Sequence, residues 1–267
     1  MTFPENIKIL KRKIFTSKYG WSGDYESWDK AKQISSGYNA SHILEKVKTS
    51  TLKVKSGEAV FERDSVLFDS IEYSWPLLAS LMWIAARNKG SLSVIDFGGS
   101  LGSSYFQNKY FLDTIEKTQW RVVEQKTFVD CGREYFENGI LKFYYTVEEC
   151  IKSGEIPDVL LISCALPYLE GASKMLDDFS QLGISYLIID NTPFNYQDRD
   201  RITVQRVDPL IYEASYPCWF LDYNKVKAII ESRYTIVSEY FNNTSILLDG
   251  RKIPYRGLLA KLKSNNK

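Results

Sequence analysis

The order of apolar runs after residue 90 limits this chain more than any other feature. LSVIDF (92–97), WRVVE (120–124), LKFYY (141–145), DVLLIS (158–163) and YLIID (186–190) are short, rich in Val, Ile, Leu or Tyr, and bounded by polar or turn residues. Helical stretches fit at about 103–117, 127–137, 147–153, 170–182 and 222–232. Near-continuous apolar strands separated by helices specify a parallel sheet covered on both faces, a doubly wound α/β fold. Two late runs, YTIVSEYF (234–241) and RGLLAKLK (256–263), have no convincing helix between them. They are expected to pair antiparallel at the sheet edge, across a long connection, giving a mostly parallel seven-stranded sheet.

The first part of the chain lacks this pattern. Residues 1–90 are expected to form an N-terminal, mostly helical cap region, and 91–267 the Rossmann-like domain. Helices are expected at about 41–55 and 64–89, the second bent near Pro76, where proline removes a helix donor. Residues 20–40 are rich in Gly, Ser and aromatics and suggest an ordered loop with a short helix near 26–33.

Charge and cysteine usage exclude several classes. Lys plus Arg is 34 against 33 Asp plus Glu, a net charge of +1, so no nucleic-acid partner is expected. Cys131, Cys150, Cys164 and Cys218 form no CxxC pair and read as reduced thiols of a cytoplasmic protein. The N-terminus lacks a secretory h-region. WPLLASLMWIAA (75–86) is too short to cross a bilayer and reads as a buried helix, so no integral membrane segment is expected. The basic start, with Lys8, Lys11, Arg12, Lys13 and Lys18, allows weak contact with an anionic membrane surface. A single His, His42, opens a predicted helix and reads as solvated; it leaves no His-rich metal site, and no metal is expected.

The sharpest local feature is Val94-Ile95-Asp96-Phe97-Gly98-Gly99-Ser100-Leu101-Gly102-Ser103, which leaves a predicted strand and opens a predicted helix. Glycines permit a tight turn and close approach, and the helix start offers unpaired N–H groups. A dinucleotide G-x-G-x-x-G fits poorly: Phe97, or Ser100 and Ser103, replace its glycines. The methyltransferase pattern acid-x-G-x-G-x-G aligns as Asp96, Gly98, Ser100, Gly102, with only the middle glycine changed. Glu124 ends the next strand, where an acid accepts hydrogen bonds from ribose hydroxyls in both nicotinamide and S-adenosylmethionine sites. Five βα units followed by an antiparallel pair is also the element order of class I methyltransferases.

YGWSGDYESWDKAK, VFERDSVLFD, YSWPLLASLMW, VIDFGGSLGSSYFQN, VVEQKTFVDCG, IDNTPF and YEASYPCWF resemble a bacterial family of S-adenosylmethionine-dependent methyltransferases often met among genes for surface-polysaccharide synthesis. The resemblance spans about residues 19–262. It implies S-adenosylmethionine as cofactor and a glycan or small-molecule acceptor.

Ligands of open α/β sheets lie beyond the carboxyl ends of the strands. That selects Asp96, Gly98, Gly99, Ser100, Gly102, Glu124, Gln125, Ser163 and Cys164 for the cofactor, with Tyr145 and Thr146 bordering it. Methyl transfer to a hydroxyl or amine needs alignment and a proton acceptor. Asp190 is the first candidate, then Glu62 and Asp64 in FERD, then Glu213. Aromatic faces and Arg suit a sugar bearing an anionic group, which selects Trp21, Arg63, Tyr168 and Tyr216. The alternatives are an NAD(P)-dependent nucleotide-sugar oxidoreductase and a non-catalytic member that binds glycan or partner enzymes.

Overall fold

The computed structural model describes residues 19–37, 40–154 and 156–264. The basic N-terminal segment considered for membrane contact lies outside them. The five expected strands form at Ser91–Phe97 (β4), Lys117–Val123 (β5), Leu141–Tyr144 (β6), Val159–Ser163 (β7) and Tyr186–Pro193 (β8). Together with Tyr234–Leu248 (β11) and Arg251–Leu262 (β12) they make one seven-stranded sheet, ordered β11-β12-β8-β7-β4-β5-β6. Only β12 runs against the rest, antiparallel to both neighbours. The order reverses between β4 and β7, so their carboxyl ends diverge into a crevice.

Strand side chains alternate between two cores, as the pleat requires. Val94, Val122, Leu161 and Ile188 point to one face, packed against helices Ala40–Ser56 (α2), Trp75–Arg87 (α3), Ser103–Leu112 (α4) and Lys126–Tyr135 (α5). Ile95, Val123, Ile162 and Ile189 point to the other, under Val147–Lys152 (α6), Ala172–Ser180 (α7) and Tyr223–Glu231 (α8). Both faces being covered is why these strands are continuously apolar in sequence. Side-chain caps start three of the described helices: Ser27 Oγ accepts from Lys30 N–H at 3.2 Å ahead of Trp28–Gln33 (α1), Thr146 Oγ1 from Glu149 N–H at 3.0 Å and Asp222 Oδ1 from Asn224 N–H at 2.9 Å.

Four expectations need correction. The N-terminal region contains strands as well as helices. Gly20–Tyr25 (β1), expected as loop, pairs with Arg201–Arg206 (β9), which also pairs with Ser215–Phe220 (β10). Its partner lies about 180 residues away, so no local pattern announces it. The start of the expected 64–89 helix is instead a hairpin of Phe61–Arg63 (β2) and Val66–Phe68 (β3). Asp64 and Ser65 turn it with φ of 51° and 66°, the backbone of a two-residue type I′ loop. Pro76 does not bend α3; it occupies the first turn, where its missing donor costs nothing. Finally, β11 and β12 are joined by the two residues Asp249 and Gly250, not by a long connection.

The stretches 1–90 and 91–267, divided by sequence pattern, share a core: Ile43, Val47, Leu77 and Leu81 pack with Leu92, Val94 and Leu101. No helix among the described residues is long and apolar enough to cross a membrane.

Candidate functional site

The turn 98–102 sits at the carboxyl end of β4, beside the reversal in strand order. Gly98 has φ +73°, and a Cβ there would lie 2.5 Å from the Cβ of Ala165, in the segment after β7. A Cβ on Gly99 would lie 2.5 Å from the carboxyl carbon of Asp96, and one on Gly102, φ +92°, 3.1 Å from Leu141. The glycines thus admit close approaches made by the protein itself. What the turn leaves for a ligand is backbone: the N–H groups of Gly99 and Ser100 have no backbone partner among the described residues. Ser100, in place of the template's middle glycine, has φ 55°, the left-handed conformation a glycine there would adopt freely.

Backbone strain concentrates here. Among the described residues, seven non-glycine residues have positive φ, and five of them lie on this edge. Ser100 follows β4, Cys164 follows β7, Asn191 lies near the end of β8, and Asp64 and Ser65 form the tip of the 61–68 hairpin. Such conformations cost roughly 1–3 kcal/mol each and gather where function holds them.

Three carboxylates surround the turn. Asp96 is buried beneath it and accepts the Trp120 indole N–H at 3.0 Å. Burial, reinforced by the nearby charge of Glu124, pushes Asp96 up to about 7 despite that bond. Glu62, on β2, is 3% exposed. It accepts the Ser103 hydroxyl at the first residue of α4, and the Ser65 N–H at 3.2 Å. Burial likewise pushes Glu62 up to about 7. Glu124, half-buried at the end of β5, accepts the Gln125 N–H at 2.7 Å; its other oxygen has no hydrogen-bond partner among the described residues. Desolvation raises Glu124 as well. The cations on neighbouring elements are engaged elsewhere: Arg63 faces Glu72 at 3.6 Å, Lys109 bonds Asp113 and Lys126 bonds Asp130.

These shifts set a pH dependence. The ordinary values, 4.5 for Glu62 and 3.8 for Asp96, both rise to about 7 in the fold. Between about pH 4 and 7 the native state keeps protons the unfolded chain has released, so stability falls as pH rises through that window and levels above it. Urea unfolding across the window is expected to show this fall in the wild type. In Glu62→Gln it should be shallower, by about 2–3 kcal/mol over the whole interval, at about 1.4 kcal/mol per unit.

Asp190 is the centre of a second cluster. Its Oδ1 accepts from Ser74 Oγ (3.1 Å), Tyr240 OH (3.0 Å) and Asn242 Nδ2 (3.1 Å), and its Oδ2 from Ser163 Oγ (3.2 Å). The carboxylate is 2% exposed, and burial raises its pKa against the pull of all four donors. Ser163, expected at the cofactor, is therefore engaged with Asp190. Ser74, Tyr240 and Asn242 escaped the sequence reading; a buried strand-end acid needing donors was the only signal for them. Close packing marks the cluster too: a Cβ on Gly257 would strike the Tyr240 ring at 2.3 Å.

The expected acceptor residues divide. Tyr168 and Tyr216 meet edge to face at 5.4 Å, and the Tyr168 hydroxyl donates to Gln205 at 2.7 Å. Trp21 packs against Phe220 in the core of the small β1-β9-β10 sheet. Arg63 lies over the Phe61 ring at 5.4 Å, at the mouth of the hairpin. Gln125 precedes α5, and Tyr145 is turned away, its hydroxyl bonded to Asp130 and its ring under Arg133. His42 is exposed on α2. Among the described residues no group of three or more His, Cys, Asp or Glu could hold a metal ion. A cavity of about 380 Å³ opens elsewhere, between Asp24, Glu26, Arg199, Asp200 and Trp219; there Asp24 pairs with Arg199, Glu26 with Lys30 and Asp200 with Lys225.

No protein-family model and no curated protein sequence matches the chain. Solved structures of similar architecture include magnesium protoporphyrin IX methyltransferase from Synechocystis PCC 6803 with bound S-adenosylmethionine. It has 14% identity and a TM-score of 0.45, covering 70% of this chain and 79% of that one. The N-methyltransferase NodS from Bradyrhizobium japonicum WM9, in complex with S-adenosylhomocysteine, has 12% identity and a TM-score of 0.43, covering 71% and 87%. The N-terminal domain of EvdMO1, in the presence of S-adenosylhomocysteine and D-fucose, has 11% identity and a TM-score of 0.47, covering 85% and 98%. These values describe a loose likeness of architecture. The functional reading rests on the chain's own strand order and side chains.

Proposed function

We propose that this chain is an S-adenosylmethionine-dependent methyltransferase acting on a hydroxyl or amine of a sugar, nucleotide sugar or surface glycan. The observation that carries the reading is the Glu62 carboxylate at the first residue of α4. In a dinucleotide enzyme that helix start receives the pyrophosphate. Here the protein places its own acid there, anionic above about pH 7, with Asp96 and Glu124 close by. Such a site repels a pyrophosphate and favours a ligand that is cationic near the turn, which weighs against an NAD(P)-dependent oxidoreductase.

When bound, S-adenosylmethionine supplies a methyl group on positively charged sulfur. The chain's own groups fit it. Glu124 offers an unpartnered carboxylate oxygen to ribose hydroxyls. The Gly99 and Ser100 N–H groups offer donors. Asp190 remains the proposed proton acceptor, reached through the Ser163 hydroxyl at 3.2 Å. Burial raises its pKa, which makes it a stronger proton acceptor than an exposed aspartate. The support for a sugar acceptor is the aromatic pair Tyr168 and Tyr216 with Arg63, together with the sequence resemblance. The four free cysteines agree with a cytoplasmic setting.

Calorimetric titration tests the cofactor directly. S-adenosylmethionine or S-adenosylhomocysteine is expected to bind with one site per chain, while NADH and NADPH give no heat. Saturable NAD(P)H binding, with no adenosyl-sulfur ligand binding at millimolar concentration, would contradict the reading.

A further inference from the structure

Three buried or half-buried acids meet at this turn, and only one comes from an element the parallel sheet does not need. The β2–β3 hairpin reaches across to the start of α4 through Glu62, whose carboxylate accepts the Ser103 hydroxyl and the Ser65 N–H. The charged groups facing it are few. From its own hairpin come Asp64 and Arg63, the latter drawn to Glu72. Below the turn stands Asp96, and beyond it Glu124. The nearest cation of α4, Lys109, is held by Asp113 at the far end of the helix. A ligand at the turn therefore meets acids that outnumber the one nearby cation, Arg63, itself drawn to Glu72, in a desolvated place where charges act strongly.

This has a consequence that rests on the methyltransferase reading. S-adenosylmethionine and its product differ by one methyl group and one positive charge. We propose that Glu62 makes the site discriminate by that charge: it favours the cationic sulfonium form over the neutral thioether, so methyl transfer itself weakens the hold on the spent ligand. Product release is then driven by loss of charge. The hairpin acts as a specificity element of the cofactor site.

The test is calorimetry on the full chain with three probes: S-adenosylmethionine, S-adenosylhomocysteine, and sinefungin, in which an amine-bearing carbon replaces the sulfonium and keeps the cation without a transferable methyl. Measured above the Glu62 pKa of about 7, wild type should bind the two cations at least about tenfold more tightly than S-adenosylhomocysteine. Glu62→Gln keeps the shape and an acceptor for Ser103. It should shrink that ratio to about threefold or less, while the affinity for S-adenosylhomocysteine changes little. If the variant fails to fold, wild type titrated well below about pH 7 loses the Glu62 charge together with that of Asp96 and should show the same shrinking of the ratio. The proposal is overturned if wild type binds S-adenosylhomocysteine as tightly as sinefungin, or if neither the substitution nor acid moves the ratio. Failure of all three probes to bind would instead remove the cofactor reading and this inference with it.

Discussion

Gly98→Ala is expected to destabilise the protein by about 2–5 kcal/mol, from about 1–2 kcal/mol for an L side chain in the left-handed region and about 1–3 kcal/mol for overpacking. The first cost follows from φ +73°, the second from a Cβ that would stand 2.5 Å from the Cβ of Ala165. The two parts separate in a double-mutant cycle. Ala165→Gly in the same chain removes the collision and should recover about 1–3 kcal/mol, leaving the backbone cost in place. Urea unfolding of the four proteins checks this. Additive effects would show that the segment after β7 does not press on the turn as described.

Asp190→Ala carries the other large effect. Four protein donors converge on this carboxylate from α3, β7 and β11. Removing it leaves the Ser74 and Ser163 hydroxyls without their acceptor, while Asn242 keeps the Ser74 oxygen at 3.1 Å and Tyr240 only the Ile189 carbonyl at 3.5 Å. Each buried unsatisfied group costs about 1–3 kcal/mol, partly offset because a desolvated acid has gone and water can enter. The expected net loss is about 3 kcal/mol in equilibrium unfolding. A loss below about 1 kcal/mol would mean that the cluster does not tie these elements together. The same cluster explains why a carboxylate can stand buried within β8 at all: its donors keep it from being an isolated buried charge.

The parallel sheet was legible in the sequence because strands buried on both faces must be apolar at every position. VLLI (159–162) and YLII (186–189) satisfy that requirement within themselves, and LSVIDF departs from it only at Ser93 and Asp96. The turn at 98–102 and the acid at 124 were legible for a similar reason, since strand end, glycine and helix start are contiguous. What was hidden depends on distant partners. Trp21 belongs to a strand only because Gln205 lies opposite it. Tyr240 and Asn242 gain meaning only once β11 returns beside Asp190. The 61–68 hairpin was missed for a different reason. The apolar run Val66-Leu67-Phe68 is too short for periodicity to separate strand from helix, and only the Asp64-Ser65 pair marks a turn, with backbone angles that short polar residues tolerate better than most. The consequence was large, because that hairpin turns Glu62 from one of several candidate bases into the acid that sits on the start of α4.

The proposed site holds an adenosyl ligand between the turn and Glu124, with Glu62 at its charged end. A crystal structure of the chain soaked with S-adenosylhomocysteine measures this most directly. The ribose hydroxyls should lie within hydrogen-bond distance of the Glu124 carboxylate, and the thioether on the Glu62 side of the turn. A ligand bound away from residues 98–102, or one whose ribose does not touch Glu124, would contradict it.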